Sequence, residues 1–189
     1  MRVYDPGRFA TRALTFRAVG PASHFDHHRA GPPASLLDPM KGLWHDPDRA
    51  ISYFGLTLSC CLVEVFGDTL TIERTPWEMA VVELTAPVTL LDLRDNHAML
   101  AGTVEALCKT EDRDLTQRWG RYFYQEIVTY GVVDGLRFHG AHNSEDCFAL
   151  FERAAHALVC EPGAIRRLSD PALDWIIEDC ALRHNMLVA

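Results

Sequence analysis

Residues 50–68 read AISYFGLTLSCCLVEVFGD. Between Ile51 and Phe66 nearly every residue is apolar or small, which marks a core segment, yet Glu64 stands between Val63 and Val65. A carboxylate enters such surroundings when it is paired or used. The first part, AISYFG, is rich in β-branched and aromatic residues and reads as a strand. The second is a short apolar run that periodicity alone does not assign. Gly67 directly after Phe66 suits the residue that follows a helix, so LTLSCCLVEVF is read as a helix. On that helix Thr57, Cys60, Cys61 and Glu64 are related by steps of three, four and seven and share one face. Leu58, Leu62 and Val65 occupy the neighbouring arc and are expected to pack inward. Small residues beside Glu64 would leave space next to the carboxylate.

Working outward, ALTFRAV (13–19) reads as a strand, and so do AVVEL (80–84) and VTLLDL (88–93), with Pro87 between the last two. HAMLAGTVEALCK (97–109) and LTQRWGRYFYQEIVTY (115–130) have the apolar spacing of helices. GLRFHG and CFALFER are strands around the polar turn AHNSED (141–146), and LVC and IRRL are short strand candidates. PALDWIIEDCALRH opens with Pro171 at a helix start. Strands and helices do not alternate regularly. The expected class is therefore α+β: one compact domain over residues 1–189, with a small mixed sheet and surrounding helices.

The bulk composition narrows the function. Hydrophobic residues make up 48% of 189, enough for a sizeable core. The formal charge of −8 argues against a nucleic-acid or anionic-membrane binder, both of which use a basic face. No apolar run approaches the roughly 20 residues that span a bilayer. The N-terminal residues MRVYDPGRFATRALTFRAVG lack the apolar stretch of a secretory signal, so a cytoplasmic location is expected. Cys60, Cys61, Cys108, Cys147, Cys160 and Cys180 form no C-x-x-C pair and read as reduced core thiols.

Three groups of residues could carry chemistry. HFDHHR places His24, Asp26, His27, His28 and Arg29 in a long polar segment, as a metal-binding loop, an anion-binding loop or a plain polar loop. The metal reading would make the protein a metal-dependent hydrolase. Arg17 lies inside an apolar strand pattern, where its fork suits either a phosphate or a buried carboxylate such as Glu64. Tyr53 and Glu64 lie eleven residues apart across a strand and a returning helix; they either flank one cleft or are a packed Tyr and a solvent-facing Glu.

The arginine in TFRAV, then GLWHDPDRAISYFGLTLSCCLVEVFGD, YGVVDGLRFHG and CFALFER, resemble in order the RES-domain family, the NAD-degrading toxins of RES–Xre toxin–antitoxin systems. The resemblance covers residues 14–155. It implies an ADP-ribosyltransferase-like fold and cleavage of the nicotinamide–ribose bond, as an NAD phosphorylase or NAD glycohydrolase. It implies functional roles for Arg17, Tyr53 and Glu64. NAD would be the substrate, inorganic phosphate a candidate co-substrate, and no metal or other cofactor would be needed. An Xre-type antitoxin and a second copy of the chain, meeting around Trp119 and Tyr122, would be candidate partners. The chain departs from the family at two places. The loop arginine is absent from Gly42-Leu43-Trp44, where Arg29 or His28 could replace it in binding NAD. The serine after the D-G strand falls at Gly140, with Ser144 a distant substitute. These departures keep open a nucleotide- or protein-binding domain with impaired catalysis.

Overall fold

The computed structural model describes residues 2–4, 12–16 and 51–189. Among these, nine strands build one mixed sheet. They are β1 (Arg2–Tyr4), β2 (Arg12–Phe16), β3 (Ile51–Gly55), β5 (Glu78–Leu84), β6 (Val88–Asp92), β7 (Gly135–His139), β8 (Asp146–Phe151), β9 (Leu158–Val159) and β10 (Ile165–Arg167). The order is β1-β6-β7-β8-β3-β2-β5-β10, with β9 also on β5. β6 and β7 run parallel, and the other neighbours in this sheet are antiparallel. The sheet is mixed, as the sequence suggested, but broad rather than small. β4 (Thr71–Ile72) and β11 (Leu187–Val188) form a separate parallel pair.

Period-two alternation splits the sheet into two packed faces. On β8, Cys147, Ala149 and Phe151 point to one core and Phe148 and Leu150 to another. β3 follows the same rule, with Ile51 and Tyr53 against the first core and Phe54 in the second. The helices are α1 (Leu58–Phe66), α2 (Asn96–Leu100), α3 (Arg113–Gln125), α4 (Ile127–Tyr130) and α5 (Asp174–Arg183). α1 lies on the Tyr53 side, because Cys60 joins Cys147 and Ala149 in the first core. α1 and α5 share a third cluster through Leu62, Phe66, Ile177 and Cys180.

Two expected helices are interrupted. Residues 97–109 contain α2 and a separate 3-10 turn, Glu105–Cys108, because Gly102 takes a left-handed backbone (φ +78°) between them. Residues 115–130 divide into α3 and α4 at Glu126, whose ψ of +70° is not helical. Trp119 does not offer a free face: it packs on the first core and against Tyr122 and Phe123, with ring centroids 5.6 and 5.2 Å away. Tyr122 remains exposed. All six cysteines are free, and five are buried; Cys160 is exposed. No helix among the described residues is long and apolar enough to cross a membrane.

On the second face, an ion network braces the β7–β8 hairpin. Buried Asp92 receives Nε and Nη2 of Arg94 at 2.9 and 2.8 Å. Arg94 Nη1 also reaches Asp146 Oδ1 at 2.9 Å, and Arg137 pairs with the other oxygen of Asp146. Burial alone would raise both carboxyls, but the hydrogen bonds and charge of Arg94, and of Arg137 at Asp146, hold them below the ordinary aspartate range. Groups with depressed folded-state pKa values contribute stability above the unfolded value, about 3.9, and lose it as pH falls through the folded value. Asp92→Asn is expected to cost about 3 kcal/mol in a denaturant melt at neutral pH, the scale for breaking a buried pair from one side. It should also flatten the acid loss of stability below about pH 4. An unchanged melt would show that the network does not brace the hairpin.

Candidate active site

α1 begins at Thr57, whose hydroxyl oxygen accepts the Cys60 N–H at 2.9 Å and so caps the first turn. Seven of its nine residues are buried, and the exceptions are Glu64 and Val65. Cys60 and Cys61 do not border an open cleft as expected. They are buried because the sheet comes in close: a Cβ on Gly55 would lie 2.8–2.9 Å from both sulfurs. Cys60 Sγ is 3.3 Å from Cys147 Sγ. The Cys147 thiol is pushed up by its hydrogen bond to Cys60 and by burial, and Cys61 by burial, so both stay protonated. The small side chains bring strand and helix together instead of leaving space between them.

Glu64 lies where α1 leaves this close-packed region. Its carboxylate rests on the turn between β7 and β8. A Cβ built on Gly140 would stand 2.5 Å from Glu64 Oε1 and 3.2 Å from Cys147 Sγ. The His142 backbone N–H donates to Oε1 at 3.4 Å. Burial raises the Glu64 carboxyl above its usual range, while the His142 N–H, the His142 ring and the Ala141 backbone partly offset it. Glu64 is therefore a half-buried acid whose charged form is disfavoured by burial and partly supported by the turn that it faces.

Tyr53 lies on the same sheet face as α1. It pairs in register with Ala149, and Gly55 pairs with Cys147. Cys147 thus stands between the level of Tyr53 and the turn that carries Glu64. Tyr53 is half-buried against the first core. Tyr53 and the helix that carries Glu64 thus lie on one face of the sheet. Arg17, His28, Arg29 and the rest of HFDHHR lie outside the described residues; β2, which ends at Phe16 just before Arg17, pairs with β3 at Leu14–Gly55.

The RES domain profile matches residues 10–175. The chain belongs to the RES-domain family. A solved structure with a similar fold is the crystal structure of the M. tuberculosis MbcT–MbcA toxin–antitoxin complex: 12% identity, 83% of this chain and 80% of that chain, TM-score 0.49. Among curated proteins no match is found.

His142 and Asp68 were not singled out for this site from the sequence. Gly67 does end α1, but not as a left-handed cap: its φ is −60°. A Cβ there would stand 2.7–2.8 Å from the His142 ring, so the glycine makes room for histidine. No local pattern links residue 142 to residue 64. The signal is the position of AHNSED between two strands, which predicts a tight turn but not the helix that it covers. Elsewhere, Asp95, Glu105 and His139 bring ligand-type atoms within 4.8 Å of one another, but Glu105 is already bound by Lys109 at 3.2 Å and His139 at 3.3 Å. A hollow of about 400 Å³ at the β5–β10 edge, lined by Val81, Glu83, Glu161 and Arg166, shares no residue with the surroundings of Glu64.

A carboxyl raised by burial favours the folded state while neutral, and that contribution is lost as pH rises through its folded pKa. Glu64→Gln should therefore melt no lower than wild type at pH 8, and the wild type should lose ground to the variant as pH rises above the ordinary glutamate value of about 4.3. A variant that melts well below wild type at pH 8 would make Glu64 a structural acid.

Proposed function

We propose that this RES domain cleaves the nicotinamide–ribose bond of NAD and acts as the toxin of a toxin–antitoxin pair. The observation that carries the reading is Glu64, a half-buried carboxylate that lies against the His142 N–H and Gly140 in the turn that follows the D-G strand, with Tyr53 on the same face of the sheet as its helix.

The chemistry follows from charge. As the glycosidic C–N bond breaks, nicotinamide leaves with the bonding pair as a neutral molecule, and the ribose becomes oxocarbenium-like, as in glycoside cleavage. A fixed carboxylate with little water around it stabilises that cation more than it stabilises the ground state. The oxygen of water or of inorganic phosphate then bonds to the anomeric carbon and the surplus proton is released, giving hydrolysis or phosphorolysis. Tyr53 can offer its ring face to the cationic nicotinamide before cleavage. Arg17, with Arg29 or His28, is the proposed clamp on the pyrophosphate. NAD is the substrate in this scheme, with no cofactor. An Xre-type antitoxin, a cytoplasmic site of action and self-association are the accompanying expectations.

The purified protein should release nicotinamide from NAD, with or without phosphate. Glu64→Gln is expected to keep the fold and lose turnover by about 10²–10³, the scale for one electrostatic group. The acid limb of the wild-type pH–rate profile should lie above the ordinary glutamate value of about 4.3, because the ionised form is the active one. Complete recovery of NAD after long incubation at high protein concentration would favour the reading of Gly140 as a loss of catalysis and leave a nucleotide-binding domain.

A further inference from the structure

The Gly140–His142 turn is anchored at both ends of α1. At the helix start, Thr57 Oγ1 donates to Glu145 Oε2 at 2.6 Å, and Glu145 is held within the turn by Asn143 Nδ2 at 2.8 Å. The Gly140 N–H closes the turn on the Glu145 carbonyl at 2.8 Å. At the helix end, the His142 ring sits on Gly67, and its Nε2 is 3.5 Å from Asp68 Oδ1. Asp68 is largely exposed, so that ion pair adds little. The seat of the ring on a residue without a side chain is the stronger part of the contact.

The carboxylate depends on this arrangement. The His142 N–H reaches Glu64 Oε1 at 3.4 Å, near the limit of a hydrogen bond, so a small drift of the turn would lose it. Gly140 lets the carboxylate lie directly on the turn.

We propose that His142 is the positioning residue for Glu64: its ring, locked on Gly67, keeps the Gly140–His142 backbone against the carboxylate. The proposal rests on the reading of Glu64 as the charge that opposes the ribosyl cation. Among the described residues the charged groups around the ring are Asp68 and Glu64, with Glu145 at the far end of the turn.

Amide chemical shifts test this without any reaction. In a pH titration by NMR, the Ala141 amide of the wild type should move with the ionisation of Glu64. Glu64→Gln should remove that movement and leave only the part due to the imidazole. His142→Ala, which keeps its own N–H, should cut the Glu64-linked movement at Ala141 at least by half. His142→Phe, which keeps a ring on Gly67, should retain it. In turnover, His142→Ala should lower kcat about tenfold, the scale for a hydrogen bond to a charged group, with KM changed less than about twofold. Equal amide movement in wild type and His142→Ala overturns the proposal, as does a loss in His142→Phe as complete as in His142→Ala. NAD left intact by the wild type, with the amide pattern as expected, would defeat the NAD reading and leave the latch in place.

Discussion

The arrangement turns on one contact: the Glu64 carboxylate lying against the backbone of the β7–β8 turn. Burial makes the charged form costly, and backbone N–H groups with the His142 ring return part of that cost. An acid balanced in this way is poor at stabilising a fold and well suited to stabilising a cation that exists only during reaction. Glycines at 67 and 140 are the steric condition for it, since a Cβ at either place would meet the His142 ring or the carboxylate within 3 Å.

The rest of the fold serves to hold that turn still. On one face of the sheet, Cys60, Cys61 and Cys147 pack so closely that α1 cannot slide along β3 and β8. On the other face, Asp92, Arg94, Arg137 and Asp146 tie the end of β6 to both strands of the hairpin. The bidentate pairing of Arg94 with Asp92 fixes direction as well as distance. The turn is thus fixed from both sides of the sheet and by Thr57 and Gly67 along the helix. Preorganisation of this kind is what an electrostatic mechanism requires, because the stabilising charge must not have to move during the reaction.

Much of this was legible in the sequence. The strand at Tyr53, the helix that ends at Phe66 and the hairpin around AHNSED all follow from local pattern and turn chemistry. A shared cleft for Tyr53 and Glu64 does not follow from local pattern and rests on the family resemblance. What was not legible is long-range. Cys60 and Cys61 were read correctly as core thiols, but the space expected beside Glu64 is not there on their side, because sequence gives side-chain size and not the approach of a neighbouring strand. Gly67 is the helix stop that the sequence suggested, but its second use, as the seat of the His142 ring, leaves no local trace because a stop and a packing site use the same residue. The breaks at Gly102 and Glu126 interrupt apolar patterns that continue through them, so periodicity passed over them. His142 had no signal, since its partners are 75 and 78 positions away in the chain. The roles of Arg17, His28 and Arg29 rest on the resemblance, as those residues lie outside the described part of the structure.

The most direct measurement is a crystal structure of the Glu64→Gln protein with NAD bound. The account requires the anomeric carbon of the nicotinamide riboside to face residue 64 above the Gly140–His142 turn, with the nicotinamide ring on the Tyr53 side. A dinucleotide bound elsewhere, such as at the β5–β10 edge, with residue 64 facing only water, would contradict it.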